Sequence, residues 1–289
     1  MAVLEALARR ARAAARQLAI SSSGPRDEAL GVAADLLVAD AGVLLAANEV
    51  DLELAARDDL GEAAMDRLRL TESRVAGMAE ALRAVAALPD PVGEVIEGWL
   101  RPNGLSVQRV RVPLGVVGVI YENRPNVTSD VAGLCLKAGN AALLRGSSSA
   151  LRSNLAVVKI MRQALAKVGL PEDAVLLVED TSHESAIAFM GLRGLVDCLV
   201  PRGGPQLIEA LVQHATVPYV LDGDGNCHIY VDVAADLPMA EEIVVNAKVS
   251  RPGVCNAVET LLVHGAIAGD FLPRICLLYT SDAADDLTR

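Results

Sequence analysis

The sequence predicts an α/β protein built on a doubly wound parallel sheet. From Pro113 onward, short continuous apolar runs alternate with amphipathic stretches. Continuous apolar runs are typical of parallel strands that helices bury on both faces. Hydrophobic residues make up 52% of the chain and aromatic residues only 2%, so a large aliphatic core is expected. The length of 289 residues favours two domains.

Residues 2–88 have a helical pattern. Apolar residues recur there at spacings of three and four, as at Val75, Met78 and Leu82, with charged residues between them. Pro89 ends this region. The pattern fits either an independent helical bundle or the outer layer of a larger domain.

A hairpin is predicted at about 95–112. Pro102-Asn103-Gly104 is a turn signal between two alternating runs. Two interpretations stay open, a local surface hairpin or an arm that adds to the sheet of a neighbouring subunit.

Strands and helices then follow in alternation, which is the pattern of a doubly wound sheet. A further helix and strand begin a second α/β unit. The predicted strands are Val116–Tyr121, Ala141–Arg145, Val175–Val178, Leu195–Val200, Tyr219–Leu221, His228–Val231 and Val258–Val263. The predicted helices are Ser129–Lys137, Ala150–Val168, Glu184–Leu192, Pro205–His214 and Leu237–Val249.

Composition excludes several classes of function. The net charge is −11, whereas a nucleic-acid-binding protein needs a basic face, so no nucleic-acid partner is expected. The N-terminus carries charge throughout and no stretch is long and apolar enough to cross a membrane, so a cytoplasmic protein is expected. The five cysteines and four histidines show no metal-ligand spacing, so no metal is expected.

Candidate ligand-binding loops lie where predicted strands end, because open parallel sheets bind ligands at that edge. Residues 122–128, 145–149 and 201–204 each precede a helix, whose N-terminal N–H groups suit phosphate. Gly203 and Gly204 let the backbone approach a ligand closely. Arg145 and the serines that follow it, with Ser147 among them, offer donors for a ribose phosphate. No GxGxxG motif occurs.

The cysteines differ in their surroundings. Cys255 lies in the Pro- and Gly-containing turn RPGVCN, which is sterically open, whereas Cys135 and Cys198 lie within apolar runs and are interpreted as core. Cys227 precedes a strand, where packing is favoured. Position alone leaves both a catalytic and a packing role open for Cys255.

Four motifs resemble one known family in order and spacing. They are PLGVVGVIYENRPNVTSDVAGLCLKAGNAALLRG, VPRGG, NCHIYVD and VVNAKVSRPGVCNAVETLLV. They are similar to the gamma-glutamyl phosphate reductase family, a divergent branch of the aldehyde dehydrogenase superfamily. The resemblance extends from the N-terminal helices to about Pro273.

The resemblance implies NADPH-linked reduction of glutamyl 5-phosphate to glutamate 5-semialdehyde, a step of proline biosynthesis. Cys255 falls on the nucleophile of the family and Asn126 on its oxyanion-hole asparagine. It also implies self-association through the hairpin arm, and it suggests glutamate 5-kinase as a pathway neighbour. The positions implied to contact NADP(H) are Arg145, Ser147, Pro201, Gly203 and Gly204.

One departure fits the implied chemistry. Hydrolytic aldehyde dehydrogenases have a general-base glutamate where this chain has Leu221, with Asp222 adjacent. An enzyme that passes its acyl group to phosphate must avoid hydrolysis of the thioester, so loss of that base is coherent. Candidate partners for the charged groups of the substrate are Arg124, Lys248 and Arg251.

The expected organisation is an NADP-binding domain at 1–223, the beginning of a catalytic domain at 224–274, and a tail at 275–289. The tail departs from the family pattern, and we expect it to be artefactual and the chain to be truncated. Two other hypotheses stay open. One is a different acylating aldehyde dehydrogenase that uses coenzyme A, and the other is an inert fragment.

Overall fold

The computed structural model describes residues 2–58, 60–221, 225–252 and 254–286, with side chains described as far as residue 278. Its contacts divide the chain into two units, Met1–Leu221 and Asp222–Arg289. The boundary predicted from the sequence lay at 223.

Five helices come first, and they belong to the α/β core rather than to an independent bundle. Helix α2 (Ser23–Ala39) contacts α5 (Glu72–Ala86) and the later helix α7 (Leu151–Lys167), and α3 (Ala41–Arg57) also contacts α7. Apolar side chains of α2 and α5 share one buried cluster with the sheet. The five helices are α1 (Ala2–Leu18), α2 (Ser23–Ala39), α3 (Ala41–Arg57), α4 (Glu62–Leu68) and α5 (Glu72–Ala86).

A four-stranded parallel sheet forms the centre of the first unit, in the order β5-β4-β3-β6. Its strands are β3 (Val116–Tyr121), β4 (Ala141–Arg145), β5 (Val175–Leu177) and β6 (Cys198–Arg202). Alternate residues of β3 face opposite layers of helices. Val117 and Val119 lie in the cluster with α2, α5, α7 and α6 (Pro125–Lys137). Val116 and Ile120 lie in the cluster with α1, α8 (His183–Met190) and α9 (Pro205–His214). The predicted doubly wound α/β fold is confirmed.

The helices between the strands are α6 (Pro125–Lys137), α7 (Leu151–Lys167), α8 (His183–Met190) and α9 (Pro205–His214). Helix α6 begins four residues before the predicted start at Ser129, because Pro125 suits the first helical position. The strand predicted at Tyr219–Leu221 was wrong. Tyr219 forms only an isolated parallel bridge with Leu199 at the edge of the sheet.

The predicted hairpin is present as a separate two-stranded antiparallel sheet of β1 (Val95–Leu100) and β2 (Ser106–Val110). Gly104 has a φ of 84°, the left-handed conformation that the turn needs. Every residue of β1 is exposed, including Trp99. Two-stranded hairpins are marginally stable alone. The role of this hairpin as a self-association arm stays a prediction.

The second unit contains β7 (Cys227–Val231), α10 (Leu237–Val249), β8 (Val258–Val263) and α11 (Gly265–Asp286). Strands β7 and β8 pair in parallel. Val231, Val244, Phe271 and Ile275 form its buried cluster, so α11 continues through the start of the segment predicted as a tail.

Among the described residues, no single helix has the length and apolar character needed to cross a membrane. The pair α2 and α3 meets both criteria only when taken together across a 69° bend.

Candidate active site

Asn126 lies in the first turn of α6 rather than in a loop, and it is exposed. Its Nδ2 donates a hydrogen bond to Asp130 Oδ2 at 2.9 Å, one helical turn away. Burial raises the pKa of Asp130, and the hydrogen bonds from Asn126 and Ser129 oppose that rise. The amide that was predicted to hold an oxyanion therefore has an acceptor within its own helix.

Sequence reasoning missed a second asparagine in the same segment. Asn123 is the second residue after β3, and its Oδ1 accepts a hydrogen bond from Ser149 Oγ at 2.5 Å. Ser149 Oγ lies 2.9 Å from Ser147 Oγ. Within the described part of the chain, no acceptor is bonded to Asn123 Nδ2. The signal was Pro125, which marks the start of α6 and leaves residue 123 at the edge of the sheet where ligands bind.

Buried hydrogen bonds fix this edge of the sheet. Tyr121 Oη lies 2.7 Å from Thr128 Oγ1, which donates to Asn154 Oδ1 at 2.9 Å. Burial raises the pKa of Tyr121. A Cβ on Gly146 would lie 2.2 Å from Asn154 Nδ2, so glycine is required there. The end of β3 is therefore tied to α6, and α6 to α7.

Arg145 is anchored to the backbone through one nitrogen of its guanidinium group. Its Nη2 donates to the carbonyl oxygens of Thr181 and Ser182 at 2.8 and 2.9 Å. Its Nε is buried and has no partner among the described residues. Burial lowers the pKa of Arg145, while the charge of Asp180 acts in the opposite direction. Arg145 therefore ties the end of β4 to the loop after β5.

Pro201 is a buried residue inside β6, whereas Gly203 and Gly204 form the turn that leads to α9. The backbone N–H of Gly204 donates to both oxygens of the Glu122 carboxylate, at 3.3 and 3.2 Å. A Cβ on Gly203 would lie 2.6 Å from Glu122 Oε1. The Glu122 carboxylate thus takes the place at this helix N-terminus that would suit a phosphate, so a phosphate would bind here only by displacing it.

In the second unit, Cys255 is exposed in the turn between α10 and β8. The Cys227 thiol donates to its carbonyl oxygen at 3.5 Å. Cys135 and Cys198 are buried, as predicted. Burial raises the pKa of Cys135 to about 12, and burial also raises the pKa of Cys198. Exposure thus separates Cys255 from the cysteines of the core.

The remaining candidates lie at scattered positions. Leu221 is exposed, and Asp222 lies outside the described residues. Lys248 Nζ donates to the Val258 carbonyl oxygen at 3.1 Å, which ties α10 to β8. Arg124 precedes α6 and is half-buried, whereas Arg251 is exposed.

Comparison with known proteins agrees with this architecture. A sequence model of the aldehyde dehydrogenase family matches residues 2–281. The gamma-glutamyl phosphate reductase of Syntrophomonas wolfei is 54% identical over 267 residues, which are 92% of this chain and 64% of that protein. The crystal structure of gamma-glutamyl phosphate reductase from Thermotoga maritima has a TM-score of 0.86 at 42% identity, covering 96% of this chain and 67% of that one. The Saccharomyces cerevisiae gamma-glutamyl phosphate reductase structure has a TM-score of 0.68 at 30% identity, covering 98% and 74%.

The chain belongs to the aldehyde dehydrogenase family. Membership in this family implies a nicotinamide cofactor. Within the family, the chain is similar to the gamma-glutamyl phosphate reductases, which confirms the resemblance predicted from its motifs. The chain spans 64% of the length of the Syntrophomonas relative.

Proposed function

We propose that this protein reduces L-glutamyl 5-phosphate to L-glutamate 5-semialdehyde and phosphate, with NADPH as reductant and Cys255 as the nucleophile. The observation that carries the proposal is the 54% identity to a gamma-glutamyl phosphate reductase across 92% of this chain. That span includes the motifs on which the resemblance rests. A cytoplasmic location and glutamate 5-kinase as pathway neighbour are proposed on the same grounds.

Cys255 begins the reaction. Its thiolate attacks the acyl carbon, a C–S bond forms, and the C–O bond to phosphate breaks, so phosphate leaves and a thioester remains. The exposed turn supports this role, because an acyl phosphate can approach the thiol there. The side chain of Leu221 cannot act as a base that activates water. Its presence therefore supports a thioester intermediate that persists until it is reduced.

An amide donor would stabilise the oxyanion that forms during attack. Asn126 is the residue implied by the family resemblance, but its Nδ2 donates to Asp130. Asn123 is a second candidate, because its Oδ1 is held by Ser149 and its Nδ2 is therefore turned the other way. Asn123→Ala and Asn126→Ala separate the two. The variant that lowers kcat by about 10²–10³ with little change in KM identifies the donor.

The turn at Gly203 and Gly204 would hold the pyrophosphate of NADP(H), and its phosphate would replace the Glu122 carboxylate at the Gly204 N–H. Pro201 would act from within β6 by fixing the direction of that turn. Bound NADPH supplies the hydride that reduces the thioester. Arg145 would position Ser147 beside the ribose phosphate rather than bind it alone.

Cofactor binding is tested by titrating the protein with NADPH and with NADH. We expect tighter binding of NADPH, and a clear preference for NADH would contradict the NADP assignment. Gly203→Ala should weaken binding, because its Cβ would lie 2.6 Å from the Glu122 carboxylate. Gly31→Ala is the matched control, since a Cβ there meets nothing within 4 Å.

The reaction itself is tested in reverse, as phosphate-dependent oxidation of glutamate semialdehyde with NADP⁺. Activity that requires phosphate and is lost in Cys255→Ser supports the proposal. Activity that requires coenzyme A instead would identify another acylating aldehyde dehydrogenase. Absence of turnover in a folded protein that binds NADPH would favour the inert fragment.

Self-association through the hairpin is a further part of the proposal. The exposure of Trp99 and Leu100 on β1 supports it, because an arm that pairs with another subunit presents apolar residues. Sedimentation of the wild type and of Trp99→Ser tests it. A monomer in both cases would contradict the arm.

A further inference from the structure

Cys227 and Cys255 are neighbours in the second unit although 28 residues separate them. Cys227 opens β7, and its thiol donates to the Cys255 carbonyl oxygen at 3.5 Å. A Cβ on Gly225 would lie 2.4 Å from the same oxygen, so the two segments are in backbone contact there. The register of the sheet pairs Cys227 with Val258, which follows the Cys255 turn.

This geometry places two thiols within reach of one disulfide. A disulfide needs Cα atoms about 4.4–6.8 Å apart. The Cys227 sulfur lies 3.5 Å from the Cys255 carbonyl oxygen, so the two residues are near enough for the exposed Cys255 side chain to turn toward that sulfur. Cys255 is exposed and Cys227 intermediate, so a solvent oxidant reaches the first thiol more readily than the second.

We propose that Cys227 and Cys255 form a reversible disulfide when hydrogen peroxide oxidises Cys255, and that this bond protects the nucleophile while switching it off. The Cys255 thiolate attacks the peroxide O–O bond and becomes a sulfenic acid, and the other oxygen leaves as water after taking a proton. The Cys227 thiol then attacks the sulfenic sulfur, an S–S bond forms, and a second water leaves. A dithiol returns both thiols by supplying two electrons and two protons.

Trypsin makes the bond directly measurable, because each cysteine falls in its own peptide. The Arg–Pro bonds at 124 and 251 resist cleavage, so Cys227 lies in 203–248 and Cys255 in 249–274. The other three cysteines fall in 112–137, 194–202 and 275–289. The full chain is treated with a stoichiometric amount of hydrogen peroxide, alkylated, digested without reductant and analysed by mass spectrometry.

The expected product is a disulfide that joins 203–248 to 249–274 and disappears on treatment with dithiothreitol. Recovery of Cys255 as sulfinic acid, or joined to 275–289, while Cys227 is alkylated would overturn the proposal. The wild-type measurement needs no variant and so does not depend on how a substitution folds.

Variants identify the resolving thiol. In Cys227→Ser the disulfide should be lost, and Cys255 should be recovered as sulfinic acid at the same peroxide dose. Cys276→Ser is the matched control, since Cys276 is also exposed but is not one of the proposed pair, and its disulfide yield should equal that of the wild type. Loss of the disulfide in Cys276→Ser would overturn the pairing.

The switch rests on the proposed role of Cys255, whereas the disulfide does not, so the two can fail separately. A disulfide in a protein whose Cys255→Ser variant stays active would support the bond and overturn the proposed function. Activity lost in Cys255→Ser without any disulfide in the wild type would overturn the bond alone.

Discussion

The two parallel sheets of the molecule are covered to different extents. Every residue of β3 is buried, because helices cover both faces of the four-stranded sheet. In β7 and β8 one residue of each strand is buried, Val231 and Val258, and the other residues are half-buried or exposed. The cysteines follow this difference, since Cys135 and Cys198 are buried and Cys255 is exposed. Parallel strand pairing thus builds a buried core in the first unit, whereas in the second it lies next to a turn with an exposed thiol.

Thiol labelling should show the largest difference between the two units. With its pKa raised to about 12, Cys135 has about one thiolate in 10⁴ molecules at pH 8 and is also shielded from reagent. We expect iodoacetamide to label Cys255 in the native protein and to leave Cys135 and Cys198 unlabelled. Labelling in urea, where all five thiols should react, is the control. Comparable rates of labelling at Cys135 and Cys255 in the native protein would show that the two thiols do not differ in accessibility.

The second largest difference is expected between a buried and an exposed leucine, in the free energy of unfolding that each loses on substitution by alanine. Leu143 on β4 has no exposed surface, so Leu143→Ala should lower the free energy of unfolding by about 3 kcal/mol through loss of burial and an unfilled cavity. Leu262 on β8 is 48% exposed, and Leu262→Ala should cost below about 1 kcal/mol. Urea unfolding followed by circular dichroism measures both. Equal shifts in midpoint would show that the sheets are equally packed.

A buried polar contact joins α3 to α7 in the first unit. Asp51 on α3 is fully buried and accepts from the backbone N–H and Oγ of Ser153 at 2.8 and 2.7 Å, at the start of α7. Asp51→Ala would leave these donors unpaired and should cost about 2 kcal/mol of unfolding free energy. Glu53→Ala, at an exposed position of the same helix, is the matched control for the urea midpoint. An equal effect of both changes would show that the hydrogen bonds between Asp51 and Ser153 do not stabilise the first unit.

A surface ion pair should give the smallest effect. Arg10 donates to Asp173 at 2.6 and 3.0 Å, and this hydrogen bonding holds the pKa of Asp173 below its usual value. A lowered pKa contributes stability that is present above the unfolded-state value of about 3.9 and is lost as pH falls through the folded-state value. Asp173→Asn should therefore cost less than about 1 kcal/mol at pH 7, and the difference should vanish toward pH 2.

Thermal unfolding across that pH range measures the effect of Asp173→Asn, with Glu49→Gln at an exposed position as the control. A difference that grows as the pH falls would have the wrong sign for a carboxylate with a lowered pKa. It would show that Asp173 does not stabilise the packing of α1 through its pair with Arg10.

Much of the fold could be predicted because its signals are local. The strands at 116–121, 141–145 and 258–263 were predicted with the bounds that the structure shows, since each is an apolar run bounded by turn residues. Tyr219–Leu221 failed because a short run at a sheet edge resembles a strand by composition alone. The start of α6 was placed too late because Pro125 was taken as part of the loop.

The candidate site was less predictable, because its contacts join distant parts of the chain. The anchoring of Arg145 by Thr181 and Ser182 joins residues that lie 36 and 37 positions apart. No local sequence pattern indicated that the Glu122 carboxylate would accept a hydrogen bond from the Gly204 N–H, 82 positions along the chain.

By itself the sequence determined the family, the parallel α/β class and the turn that carries Cys255, since each depends on residue types at fixed local spacing. The tertiary structure alone decided that the N-terminal helices form a layer of the core, that Asn123 lies at the edge of the sheet beside Ser149, and that Cys227 lies against Cys255. Packing brings such residues together through hydrophobic burial and sheet register, which act across the whole chain and leave no local pattern.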